Sequence, residues 1–88
     1  MKEKKGNRKM KTVKIELGNI DKIKRFIKEA NKCDYDLDLV SGRYIIDAKS
    51  IMGIFGMDLM RPLTLNIHSD DKNEIDTLLS SIEEFIVE

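Results

Sequence analysis

The sequence predicts an α+β fold: an open-faced β-sandwich in which a four-stranded, mainly antiparallel sheet carries three helices on one face. Three observations lead there. Four short segments alternate apolar and polar residues, the period of a strand with one buried face. Longer segments repeat apolar residues at helical spacing. The segments also follow one another as β-α-β-β-α-β-α, and none of the strands is apolar on both sides, so the sheet has one covered and one wet face.

Each element has its own signal. Between Lys11 and Leu17, Val13, Ile15 and Leu17 point one way, while Thr12, Lys14 and Glu16 point the other. Gly18 and Asn19 interrupt the strand, and Ile20, Ile23, Phe26, Ile27 and Ala30 then form the stripe of a helix ending near Lys32. Asn19 or Asp21 is the expected cap. Tyr35, Leu37 and Leu39 alternate with Asp36 and Asp38 as the second strand. A Ser41-Gly42 turn joins it to the third, Arg43–Asp47, as a hairpin. Ser50 to Phe55 reads as a helix of barely two turns closed by Gly56. After the connection from Met57 to Pro62, Leu63, Leu65 and Ile67 alternate with Thr64, Asn66 and His68 as the fourth strand. Ser69, Asp70 and Asp71 turn the chain into a last helix, whose face is Ile75, Leu78, Leu79, Ile82 and Ile86.

With 88 residues, one domain is expected, covering residues 11–88 behind a basic, disordered tail at 1–10. The net charge of zero conceals an asymmetry: seven basic residues lie between Lys2 and Lys14 against one acid, Glu3. The tail has no aromatic residue and no helical periodicity, so a solvated tail is the expected state. Without it the domain is mildly acidic, which argues against nucleic-acid binding. Neither a stretch long and apolar enough for membrane insertion nor a secretory leader is present. Cys33, alone in the chain, cannot form an internal disulfide and suits a reducing, cytoplasmic setting.

The most informative segment is D-A-K-S-I-M-G-I-F-G-M, Asp47 to Met57. Ser50 stands where the short helix begins. A hydroxyl there is either a cap or a phosphate acceptor, with free amides and the positive end of the helix beside it. From Ile51 to Met57 seven hydrophobic or glycine residues follow without a charge. So short a helix cannot bury every side, and Ile51, Met52 and Phe55 are expected to form an exposed interaction patch next to Lys49.

The order of elements, the run A-K-S-I-M-G (Ala48 to Gly53), the upstream E-A-N-K-C-D-Y-D-L-D-L (Glu29 to Leu39) and the downstream L-T-L-N-I-H-S-D-D (Leu63 to Asp71) resemble the histidine-containing phosphocarrier (HPr) family of the bacterial sugar phosphotransferase system. The resemblance implies a bacterial, cytoplasmic protein that is not itself an enzyme. In that family a G-hydrophobic-H-A-R-P-A loop after the first strand carries the phosphorylated histidine. Here the loop reads G-N-I-D-K-I-K, and the histidine position falls on Asn19 or Ile20, followed by Asp21 and Lys22. An amide or an alkyl group cannot form the phosphoramidate that imidazole forms. The resemblance therefore implies a regulatory or adaptor module acting through Ser50, the residue that matches the family's kinase-regulated serine. Its partners would be a serine kinase, a transcriptional regulator or an enzyme of the phosphotransferase system. The connection Met57–Pro62 departs from the family pattern: it is shorter and has proline near a usual glycine.

Two other readings compete. One is a working phosphocarrier that uses a different acceptor, Asp21 or His68. The other is an unrelated α+β module that touches nucleic acid through its basic arm. His68 at a strand end is ordinarily a solvated group, and Cys33 ordinarily a packing residue. Asp70, Asp71, Glu74 and Asp76 suit the start of the last helix. No catalytic residue, cofactor or metal site is expected.

Overall fold

The computed structural model describes residues 11–87. The expected tail at 1–10 lies outside the described residues, as does Glu88. Along the chain run β1 (Lys11–Ile15), α1 (Ile20–Ala30), β2 (Leu37–Ser41), β3 (Tyr44–Asp47), α2 (Ile51–Phe55), β4 (Leu63–Ile67), α3 (Lys72–Ser81), a 3-10 turn (Glu83–Phe85) and β5 (Ile86–Val87). The strands form one antiparallel sheet in the order β3-β2-β4-β1-β5.

Alternation along the strands sets which side is covered. Ile15, Leu37, Leu39, Leu63, Leu65 and Ile67 are fully or almost fully buried, and they meet Ile23, Phe26, Ala30, Ile54, Leu78, Ile82 and Phe85 from the helical layer. Burying one such aliphatic side chain contributes roughly 1.5–3 kcal/mol. On the opposite face the register brings Asp38 next to Asn66 and Asn66 next to Thr12. There Thr12 Oγ1 donates to Asn66 Oδ1 at 3.2 Å, and His68 Nε2 lies 2.6 Å from Asp38 Oδ2.

Helix starts follow the capping residues. Asn19 Oδ1 accepts from the Lys22 N–H at 2.9 Å, so Asn19 rather than Asp21 caps α1. Asp71 Oδ1 accepts from the Asn73 and Glu74 amides and starts α3. A side-chain oxygen supplies each helix with an acceptor for amides that have no partner inside the helix. In α1, Ile23, Phe26 and Ala30 are buried as the stripe requires, whereas Ile20, in the first turn, is 58% exposed.

The C-terminus departs from expectation. A continuous last helix reaching Ile86 is expected, together with four strands; α3 instead ends at Ser81, and Ile86–Val87 pair with β1 as a fifth strand. The cause lies in β1. Without β5, the side of β1 away from β4 would be an open row of amides and carbonyls. The tightened turn lets Phe85 O accept from the Glu16 N–H at 2.8 Å, and it pairs Ile15 with Ile86. Phe85 is buried edge-to-face on Phe26, with ring centroids 6.1 Å apart. Arg25 lies 5.8 Å above the Phe85 ring and donates to both Glu84 carboxylate oxygens. This half-exposed pair ties α1 to the C-terminal turn and is worth about 1 kcal/mol or less.

Candidate functional site

Ser50 has extended backbone (φ −100°, ψ 111°) and caps α2, its Oγ accepting from the Gly53 N–H at 3.1 Å. The approach to this cap is held on two sides. Asp47 Oδ1 accepts from the Lys49 N–H at 2.9 Å, and Asp47 O accepts from the Ser50 N–H at 3.0 Å. Lys49 does not extend freely: its Nζ donates to the Cys33 carbonyl at 2.7 Å, and the Asn31 amide lies 3.4 Å from the Lys49 carbonyl. The end of α1 is thus stitched to the start of α2.

Gly53 allows α2 to lie close to the sheet. A Cβ there would sit 3.2 Å from Ile46 Cδ1 and 3.4 Å from Ser50 Oγ. The close approach buries Ile54 and leaves Ile51 half-buried against the core. Met52 is 77% exposed and Phe55 45%. The four residues expected to form a partner surface therefore divide: Met52 and Phe55 face water, while Ile51 and Lys49 are partly spent on packing and on a backbone contact.

Asn19, Ile20, Asp21 and Lys22 form the cap and first turn of α1. The Asn19 side chain is committed to the Lys22 amide, and Asp21 is exposed. Topology brings further apolar groups to this end of the molecule. β1 ends at Ile15 opposite Leu63, so the start of α1 and the connection into β4 share one end of the sheet. That connection carries Met60, the most exposed large apolar side chain among the described residues at 83%. The exposure of Ile20 and Met60 was not expected; beside Met60, Leu59 packs against the core while Met60 itself does not.

The other singled-out residues lie apart from α2. His68 follows β4 at the sheet end opposite Asn19, on the uncovered face, with its ring against Asp38. Cys33 is half-buried and packs beneath the end of α1. It borders an open cleft of about 490 Å³ between α1 and α3, lined also by Glu29, Tyr35, Glu74 and Leu78. Burial pushes the Tyr35 hydroxyl above its ordinary range, aided by the Cys33 thiol and the charges of Glu74 and Asp71. The hydroxyl donates to the Glu74 carbonyl at 3.3 Å. Among the described residues there is no group of three or more His, Cys, Asp or Glu placed to hold a metal, and no helix long and apolar enough to cross a membrane.

An antiparallel open sheet with three helices on one side, a capped loop after the first strand and a serine-capped short helix define an HPr-type sandwich. Solved structures give that class its members. The chain is similar to HPr-C-His from Thermoanaerobacter tengcongensis, with 24% identity, a TM-score of 0.63 and coverage of 86% of this chain and 92% of that one. The phosphocarrier protein HPr from Bacillus anthracis str. Ames is 26% identical with a TM-score of 0.59, the match covering 83% of this chain and 94% of that one. The Bacillus subtilis catabolite repression containing protein Crh, described as an intertwined dimer with a swapping domain, is 24% identical with a TM-score of 0.57, covering 86% and 90%. The chain has the HPr fold. No family model and no curated protein sequence matches it.

Proposed function

We propose that this protein is an HPr-like regulatory or adaptor module that works through Ser50 and the apolar surface of α2, and not a histidine phosphocarrier. The observation that carries the reading is the placement of the Ser50 hydroxyl at the head of a helix whose Met52 and Phe55 stand in water. The HPr and Crh likeness supports the choice of partner class: a serine kinase, a transcriptional regulator or an enzyme of the phosphotransferase system.

Phosphorylation at Ser50 would act locally. The ester oxygen can keep accepting from the Gly53 amide, so α2 stays capped. The two or so negative charges would convert the rim of an apolar patch into an anionic one, changing which surfaces dock there. The Lys49 ammonium sits in the adjacent residue but is held by the Cys33 carbonyl, so pairing with the phosphate would require release of that bond. The modified protein should differ from the unmodified one mainly in what it binds.

The experiment has two arms. The protein is incubated with a serine kinase of the HPr-kinase class and ATP, and its mass is read by peptide mapping. In parallel, wild type and Ser50→Asp are used as baits in a bacterial lysate together with Met52→Asp. The reading holds if phosphate appears on Ser50 and the Ser50→Asp bait changes partners that Met52→Asp loses. It falls if no partner depends on either residue. Incorporation of phosphate from phosphoenolpyruvate and the system's first enzyme would instead support a carrier with another acceptor.

A further inference from the structure

The two edges of the sheet are finished differently. At one, β5 is only two residues long and covers β1. At the other, β3 is open over Tyr44–Asp47 and carries neither lysine nor proline, two of the usual protections of an edge. It also displays two of the most exposed large apolar side chains in the molecule, Tyr44 at 74% and Ile45 at 66%.

The orientation of the β3 backbone follows from its pairing with β2. Gly42, with φ +59°, makes a two-residue turn that opposes Ser41 to Tyr44, and the residues closing such a turn exchange hydrogen bonds. At the far end, the Ala48 N–H donates to Leu37 O at 2.8 Å. Bonded and non-bonded pairs alternate along an antiparallel ladder. Ile46, opposite Leu39, is therefore bonded to β2, while Ile45, opposite Val40, turns its N–H and C=O to the open edge. The Asp47 N–H points the same way.

The side chains on this edge complement their own reversal. Ile45 and Asp47 alternate along β3 and so share the uncovered face of the sheet, while Arg43 is the second residue of the hairpin turn, two positions before Ile45. All three are exposed, and among the described residues neither Arg43 nor Asp47 makes an ion pair. When a second β3 runs antiparallel with Ile45 opposite Ile45, Arg43 of each copy stands opposite Asp47 of the other. The two Ile45 residues exchange both backbone bonds, their side chains touch across the two-fold axis, and the flanking charges are opposite. Shifting the register by two residues sets Arg43 against Ile45 and removes both charge pairs. A two-fold interface needs a surface that is its own complement, and this edge is one.

We propose that β3 is a self-association edge through which two copies join their sheets, centred on Ile45 and selected by reciprocal Arg43–Asp47 pairs. The proposal stands independently of the Ser50 reading. The edge is short, so the dimer is weak and forms at high protein concentration. Ser50 and Met52 take no part in the backbone pairing.

Sedimentation velocity of the full chain from micromolar to millimolar concentration, at low and high salt, tests it. A concentration-dependent dimer that weakens with salt is expected. Ile45→Lys should abolish it. Arg43→Gln and Asp47→Asn, the latter able to keep the bond to the Lys49 amide, should each weaken it about tenfold. The paired reversal Arg43→Asp with Asp47→Arg should recover most of the loss suffered by Arg43→Asp alone. In a Cys33→Ser background, Ile45→Cys should oxidise to a covalent dimer, because opposed Cα atoms in a bonded pair lie about 5.5 Å apart, within disulfide reach. Val40→Cys, one strand inward on the same face, should not. Circular dichroism of each variant confirms that it is folded. A monomer at every concentration overturns the proposal. So does a dimer that persists in Ile45→Lys, which would point to exchanged segments instead of joined edges.

Discussion

Single residues in this molecule act mainly by satisfying or orienting backbone groups. Ser50 and Asn19 each accept a hydrogen bond from an amide three residues on. Replacing either with alanine should cost about 1 kcal/mol in urea unfolding at neutral pH; a much smaller loss at Ser50 would mean that α2 is held by packing alone. Tyr35 contributes a pH dependence. Its hydroxyl is held above the ordinary phenol range by burial, the Cys33 thiol and the charges of Glu74 and Asp71. A phenol with a raised folded value stabilises the fold fully below its unfolded value and loses that contribution as pH climbs towards the folded one. Stability should therefore fall above about pH 10, and Tyr35→Phe should fall less steeply over that range. Equal slopes for both proteins in urea titrations would remove Tyr35 as the cause.

At the level of elements, the short helix and the chain end show opposite balances between local sequence and context. α2 has five residues and could not persist alone. Its serine cap and the glycine that lets it settle onto Ile46 define it. The end of the chain depends on its neighbours instead. Phe85 is buried against Phe26, and its carbonyl is bonded to the Glu16 amide. Phe85→Ala should cost about 3–5 kcal/mol. It should also expose the amides of Lys14 and Glu16, which point towards β5, to faster hydrogen exchange, because β5 loses its anchor. Unchanged exchange in this segment would show that β5 holds to β1 without the ring.

For the molecule as a whole, the buried faces of the strands and the stripes of α1 and α3 form one core under a single layer of helices. Among the described residues, every buried member of that core lies between Ile15 and Phe85, with Val13 and Ile86 packed at its margin. A chain beginning at residue 11 should accordingly unfold within about 2 °C of the full-length protein, since surface changes remote from such contacts typically stay within ±0.5 kcal/mol. A larger drop in the calorimetric midpoint would place part of the first ten residues in the folded unit. The two proposed surfaces are neighbours, because α2 settles through Gly53 onto Ile46 of β3.

The alternating runs around Leu37, Leu65 and Ile15, the stripe from Ile23 to Ala30 and the cap at Ser50 could be read directly from the chain, and the other two caps were narrowed to Asn19 or Asp21 and to Ser69–Asp71. They could because a strand's period of two, a helix's period of 3.6 and a capping oxygen are all short-range properties. The fifth strand could not be read this way: Phe85-Ile86-Val87 continues the helical stripe equally well, and only the unpaired side of β1 decides between the two. Nor could the exposure of Ile20, Tyr44, Ile45 and Met60, or the partial burial of Ile51 and Lys49. Local pattern determined which segments are helices and strands and where the serine stands. The tertiary structure alone decided which apolar side chains find a neighbour and which edge stays open, because burial and strand pairing depend on residues distant in the chain.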